Sequence, residues 1–436
     1  MKSQKVINFP AFILISGLIL SLCSTYICNT AKAEDWPQYL GPNRNGTSSE
    51  TGILRSWPEG GPEVLWTVNL GIGFGGPVVK DGKVYLLDRD DEVGDTMRCY
   101  DLNNGQELWS FGYEAPGSVM FPGSRSVPIV EGNNVYSCGH NGDVYCIDIN
   151  THKPVWNKNV WKDFGGGSLP TWAITQCPLI HGDLLILASQ APEAGVVAYD
   201  KLTGDVKWKT ESYNDVGYVS PTMIKVDEQY HVVMITASAS SGVIGINPEN
   251  GEILWKYEGW QCRLPVPCAL DIGQGRVLIT GGYNAGSALI KIEHKSDGSY
   301  GVTELFKNPD YNVHTQPPVF CDGYFYAQCT TNEKNDGLVC MSIDGEIMWS
   351  TKRSPAFSKG GMIVVDGLIL ATDGEKMLYL IEPDSSEFKP IASVELLSNT
   401  GGDRMFGTTN WAPLALSNGK LLIRDQSQMK CVKVTE

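Results

Sequence analysis

The chain of 436 residues is short of positive charge. Its 34 lysines and arginines stand against 49 acidic residues, a net charge of −15. A nucleic-acid binder neutralises phosphates with a basic surface, so that class is excluded. Charged residues of both signs make up only 19%, below the ~25% of ordinary soluble domains. No apolar run reaches the ~20 residues that a membrane-spanning helix needs. No two cysteines are adjacent or at C-x-x-C spacing, and no C-x-x-C-H occurs. A redox dithiol, a Cys-rich zinc site and covalently attached haem are therefore not indicated. H-E-x-x-H, G-x-S-x-G and a Walker lysine motif are missing too, and no helical period competes anywhere in the repeat region.

Glycine is what the chain has in excess, at 48 residues, with aromatics at 10%. That aromatic content excludes intrinsic disorder, and the glycines follow no Gly-X-Y period. Residues 1–33 read as a secretory signal. Lys2 and Lys5 form a basic start, Ala11 to Leu22 an apolar core, and Ala31-Lys32-Ala33 a small-x-small cleavage site. A membrane helix is the other reading of that run. Without these residues the chain carries 31 basic and 49 acidic residues, a net charge of −18. The expected location is periplasmic or secreted, with cleavage after Ala33. An oxidising compartment allows disulfides among the ten remaining cysteines, but spacing does not give a connectivity. Many of them sit inside apolar strand runs, where a free thiol packs as a small hydrophobe.

The remainder is a repeat. Each unit reads as an apolar strand, an Asp-Gly or Asn-Gly turn, a Val-Tyr strand, a strand ending in Tyr-Asp or Ile-Asp, a turn, and a strand carrying Trp. Val84-Tyr85, Tyr100-Asp101, Asn104-Gly105 and Leu108-Trp109 mark the first copy. Tyr199-Asp200, Thr203-Gly204 and Lys207-Trp208 mark the third. The outer strands end at positions 66, 109, 156, 208, 255, 306, 349 and 394, spaced 43 to 52 residues apart. Copies five and seven are degenerate. Copy eight supplies three strands near the C-terminus, and Glu63-Val64-Leu65-Trp66 supplies its fourth. Four short strands per repeat with turn signals throughout predict an all-β, eight-bladed β-propeller closed by a strand from each terminus. A single blade leaves both faces bare, so neighbours must cover it. The expected organisation is a signal over 1–33, an arm over 34–62 and one ring over 63–436.

The pattern of Val-Tyr, Asp, Thr/Asn-Gly and Trp resembles the tryptophan-docking repeat of pyrroloquinoline quinone (PQQ)-type propellers. The stretches Asp35-Trp36-Pro37-Gln38-Tyr39 and Trp161-Lys162-Asp163-Phe164-Gly165-Gly166 are similar to a family of secreted PQQ-like propellers. The resemblance implies two alternatives. One is a non-catalytic binding or scaffold propeller, as in the outer-membrane assembly lipoprotein BamB, holding a protein or saccharide at its funnel mouth. The other is a PQQ-dependent dehydrogenase of a sugar or polyol, for which PQQ with Ca²⁺ is the implied cofactor. The quinoprotein dehydrogenases resemble one another in an adjacent Cys-Cys ring and in a Glu, Asn and Asp metal set followed by a catalytic Asp. None of these signatures is matched here, so no catalytic residue, metal ligand or cofactor site is assigned. The protein is read as a monomer without a membrane span.

In a propeller, the loops entering each innermost strand surround one mouth of the channel. They offer Arg125, Trp172, Gln176, Arg263, His314, Lys359, Asn410 and Trp411 as ligand candidates, beside Phe74, Tyr218 and Gln316. Three cations around one axis suit a carboxylate- or phosphate-bearing ligand, and tryptophan suits a planar ring or sugar face. Pairing of each cation with a local carboxylate is the alternative. His314 has the right chemistry for a general base, although a structural histidine is the favoured reading. Asp88 to Asp95 is an acidic stretch with calcium-like oxygens. Val93 stands where an EF-hand needs glycine, so a solvated loop is expected. Gly71-Ile72-Gly73-Phe74-Gly75-Gly76 has the letters of a dinucleotide fingerprint but leads into a strand, and its glycines are expected to serve a tight turn.

Overall fold

The computed structural model describes Met1, residues 34–237, 242–398 and 409–436. The signal stretch expected over 1–33 lies outside the described residues apart from Met1. Eight sheets follow one another along the chain, seven of four antiparallel strands and one with a fifth strand added in parallel, and the described residues contain no α-helix. The protein is an eight-bladed β-propeller. Blade one is Val78–Lys80, Lys83–Asp90, Gly94–Asp101 and Glu107–Glu114, paired in that order. Blade eight joins Ala415–Ser417, Lys420–Arg424 and Gln428–Lys433 to Val64–Asn69, with Trp66 opposite Cys431. A strand from each end of the chain thus closes the ring and leaves no radial gap for edge pairing.

The outer-strand tryptophans show why the repeat spells Gly and Trp together. Four of these indoles lie over the turn of the following blade and donate to a carbonyl there. Trp66 donates to Leu102 at 2.9 Å, Trp156 to Lys201 at 3.0 Å, Trp208 to Pro248 at 2.8 Å and Trp349 to Asp384 at 2.8 Å. The turn glycine makes room for the ring. A Cβ on Gly251 would stand 2.7 Å from the Trp208 ring, on a residue with φ of 79°. At the second blade His152 takes the glycine place, with φ of 59°, and its imidazole stacks on Trp109 at 5.0 Å. At the fourth blade the Trp255 indole turns to His231 Nδ1, 3.1 Å away in its own sheet. Gly251→Ala is expected to cost about 1–3 kcal/mol, because it adds both left-handed strain and a clash. A denaturation midpoint equal to that of the parent would contradict this docking role.

The segment after residue 33 crosses the channel at the face where the inner strands exit. Trp36 exchanges two backbone hydrogen bonds with Val79, and Val130 donates to the Pro37 carbonyl. The Arg44 guanidinium donates to the carbonyls of Cys177 and Pro178, each at 2.9 Å. Thr47–Ser48 adds a parallel strand to Val364 and Val365. The buried Glu50 carboxylate accepts the amides of Asn418 and Gly419. This arm therefore ties blades one, two, three, seven and eight together beneath the channel.

Two local expectations need correction. Asp88 to Asp95 is not a solvated loop. It is the hairpin between the second and third strands of blade one, and Asp88, Arg89 and Asp95 are each no more than 3% exposed. Arg89 pairs with Asp91 at 2.6 Å and with Asp95 at 3.0 Å. Burial of the arginine demands those carboxylates, and no oxygen cage for calcium results. The glycines at 71, 73, 75 and 76 serve close backbone approach rather than a left-handed turn. A Cβ on Gly73 would lie 2.3 Å from Ser124 Oγ, and one on Gly71 would lie 2.2 Å from the Arg89 carbonyl. All ten described cysteines are buried free thiols, which is the packing role expected of most of them.

Candidate functional site

The channel opens into a cavity of about 660 Å³ at the face where loops enter the inner strands. Its depth is set by register. Val127, Cys177, Ser220, Cys268 and Pro413 line it, and each stands two residues before an innermost strand. Tyr39 reaches the wall from the arm on the far side. Burial beside Cys268 and Cys177 raises its phenol pKa well above the usual value, so it stays neutral.

Above this level the wall is aromatic and cationic. Phe74, Phe121 and Trp411 form a cluster with ring centroids 5.5 to 6.1 Å apart. Lys359 Nζ sits 4.5 Å from the Trp411 ring. Trp172 meets Tyr218 edge-on at 5.1 Å. Arg125 bridges these walls, donating to the Trp172 carbonyl at 2.8 Å and to the Phe121 carbonyl. Phe121 and Tyr283 hold φ of 62° and 57°. Large side chains in the left-handed region cost of order 1–3 kcal/mol each and cluster at ligand sites.

The cations are desolvated, and the carboxylates that act on them, Asp91 and Asp95 on Arg125 and Glu333 on Lys359, do so without direct pairing. Among the described residues neither Arg125 nor Lys359 has a carboxylate within 4.0 Å. Burial pulls the Arg125 pKa down to about 10, which leaves it charged at neutral pH, and burial lowers that of Lys359. Burial and the Lys359 charge push His314 down to about 4, so its imidazole is neutral. Among the described residues, five polar atoms of the wall residues have no hydrogen-bond partner, namely Arg125 Nε, Trp172 Nε1, Trp411 Nε1, His314 Nδ1 and Thr315 Oγ1, and each is buried out of contact with solvent.

Five of the eight residues expected at the mouth line this cavity, namely Arg125, Trp172, His314, Lys359 and Trp411, together with Phe74, Tyr218 and Gln316. Three do not. Gln176 is buried as a strut between blades, donating to the Val219 carbonyl and accepting from the Ala188 amide. Asn410 is 2% exposed and donates to the carbonyls of Glu375 and Ser398. Arg263 is exposed behind the wall, 6.0 Å from the Tyr283 ring. Tyr39, Phe121, Tyr283 and Cys268 escaped sequence reading. The two-residue offset before each inner strand would have found Cys268. Tyr39 lies outside the repeat, and Phe121 sits on a long inter-blade loop without a pattern.

Comparison with known proteins places this geometry. The family described as outer membrane protein assembly factor BamB matches residues 93–261. A quinoprotein alcohol dehydrogenase, PedH of Pseudomonas putida, is 28% identical over 169 residues, which take in 35% of this chain and 26% of that enzyme. The quinohaemoprotein alcohol dehydrogenase of Comamonas testosteroni superimposes with a TM-score of 0.63 at 13% identity, covering 94% of this chain and 82% of the enzyme. Over residues 93–261 the chain is similar to the PQQ-like propeller family. A europium-containing methanol dehydrogenase superimposes at 0.60 with 11% identity, covering 89% of each chain. The computationally designed Ika8 protein does so at 0.56 with 13% identity, over 86% of this chain and all of that one. Likeness at these identities is a likeness of fold, and activity has to be read from the site.

The site fits the implied cofactor only in part. PQQ is a planar polycarboxylate, and the aromatic walls with Arg125 and Lys359 suit such a body. Its calcium partner does not fit. Among the described residues no three His, Cys, Asp or Glu side chains come together in metal-binding geometry, and Glu375 is the only acidic side chain in the wall.

Proposed function

We propose that this propeller is a binding module whose working site is the funnel, and that it takes a ring-shaped small molecule of saccharide type. One observation carries the reading. A cavity of about 660 Å³ combines aromatic side chains with two cations, Arg125 and Lys359. That size and composition match ligand pockets generally, with apolar walls and a few fixed polar groups. Phe74, Trp172 and Trp411 offer faces for a sugar ring, while Gln316, Asn332 and Ser358 offer hydrogen bonds to hydroxyls. The acidic exterior and the signal-like start of the chain support action on the periplasmic or secreted side.

The second reading, a PQQ-dependent dehydrogenase of a sugar or polyol, is favoured by the similarity to PedH and by the cationic aromatic wall. The missing carboxylate set counts against it, because that chemistry leans on a metal beside the quinone. Calorimetric titration with PQQ and Ca²⁺, and separately with a saccharide panel, distinguishes them. Saccharide binding without dye reduction is the expected result. Tight PQQ binding with turnover would overturn it.

A further inference from the structure

The charge and donor balance of the funnel goes further than its shape. Two cations line the cavity, Arg125 and Lys359, against one carboxylate, Glu375. In a chain with 49 acidic residues, a ligand-sized cavity with net positive charge is against the trend of the whole surface. Buried arginines in this protein are held in two ways: Arg89 meets both Asp91 and Asp95, whereas Arg44 and Arg424 donate to backbone carbonyls. Arg125 has carbonyls but no carboxylate, and its Nε is buried without a partner. Lys359 Nζ lies over the face of Trp411, and among the described residues it has no carboxylate within 4.0 Å.

A neutral sugar can accept from these groups through its hydroxyl and ring oxygens, but it brings no charge to match the two cations. A carboxylate accepts only, and charge-assisted hydrogen bonds to it are about twice as strong as neutral ones. Desolvation adds to the contrast, since a buried cation left unmatched is costly and pairing with an anion offsets part of that cost. We infer that the funnel binds an acidic saccharide, a hexuronate. Its carboxylate meets Lys359 and Arg125, and its ring lies on the Phe74–Trp411 aromatic wall. This rests on the reading of the funnel as a saccharide site and names the class that the site selects.

The test is calorimetric titration of the purified protein with glucuronate, galacturonate and mannuronate and their dimers. Each is run against its methyl ester, which keeps the shape and removes the charge. Hexose 6-phosphates form a further arm. The acids are expected to bind at least about tenfold more tightly than the esters, as one charge-assisted contact requires, and the preference should shrink as salt rises. Lys359→Gln should abolish the preference without changing the melting temperature, Lys359→Arg should restore it, and Arg125→Gln should weaken acid binding about tenfold or more. Equal binding of acid and ester overturns the inference and leaves the funnel reading intact. Tighter binding of the hexose phosphates overturns the carboxylate assignment. No binding of any sugar by folded protein overturns both.

Discussion

Trp36→Ala is expected to destabilise the propeller by about 3–5 kcal/mol, the usual cost of deleting a large buried aromatic side chain. Trp36 is 1% exposed, its ring packs over Gly41 and its backbone is bonded to Val79. The side chain is the first fixed point of the arm. Beyond it the chain places Tyr39 in the cavity wall, Arg44 under blade three and Glu50 on the turn at Gly419. Loosening the arm at Trp36 therefore removes links between blades that are distant in sequence. It also loosens the Tyr39 side of the funnel. Thermal denaturation and funnel binding should fall together in this variant. A melting temperature within a degree of the parent would show that the arm is a passive tail.

Acid should unfold this protein well before its carboxylates are fully protonated. His140, His231 and His314 are buried, and burial holds each near a pKa of about 4. In the unfolded chain a histidine titrates near 6.5. Between those values the unfolded state binds more protons, so stability rises with pH. The contribution is fully present above 6.5 and is lost as pH falls toward 4, at about 1–3 kcal/mol per histidine. Asp91 and Asp425, whose pKa values are lowered, add to the loss at still lower pH. Asp95, Asp271 and Asp373 are raised by burial and oppose it. Melting temperature measured from pH 7.5 to 4.5 should drop steeply below 6.5. His231→Gln, which keeps an acceptor for the Trp255 indole, should flatten the curve. A flat profile for the parent protein would refute this account.

The blades were legible because each repeats the same physical solution. A strand pleat alternates faces, a Gly admits the left-handed turn, and an indole needs both space and a carbonyl. Trp208 with Gly251 shows all of these on a sequence pattern that recurs. Where the pattern lapses, as at His152 and at Trp255, the structure substitutes a stacked imidazole or a histidine acceptor. The mouth was legible in part for the same reason, since the loops entering the inner strands can be counted from the repeats. Counting gave Arg125, Trp172, His314, Lys359 and Trp411. It also gave Gln176 and Asn410, which share those loops but turn toward neighbouring backbone. Position on a loop is a property of sequence, whereas the direction of a side chain is settled by what packs beside it.

The sequence by itself determined the ring: eight blades, the closing strand at Val64–Asn69 and the tryptophans that wedge the blades together. These follow from local periodicity and turn chemistry, which act between residues close along the chain. Only the tertiary structure decided that Asp88 to Asp95 buries an ion pair and that the segment at Trp36 seals the far end. It alone showed that two of the few cations of an acidic chain share one cavity with, among the described residues, no carboxylate within 4.0 Å of either. Each of these depends on groups tens to hundreds of residues apart, such as Arg44 with Cys177 or Lys359 with Trp411. A shortage of positive charge can be counted in a sequence. Desolvation and the absence of a directly paired carboxylate, which give the remaining cations their chemistry, arise only when the chain folds around them.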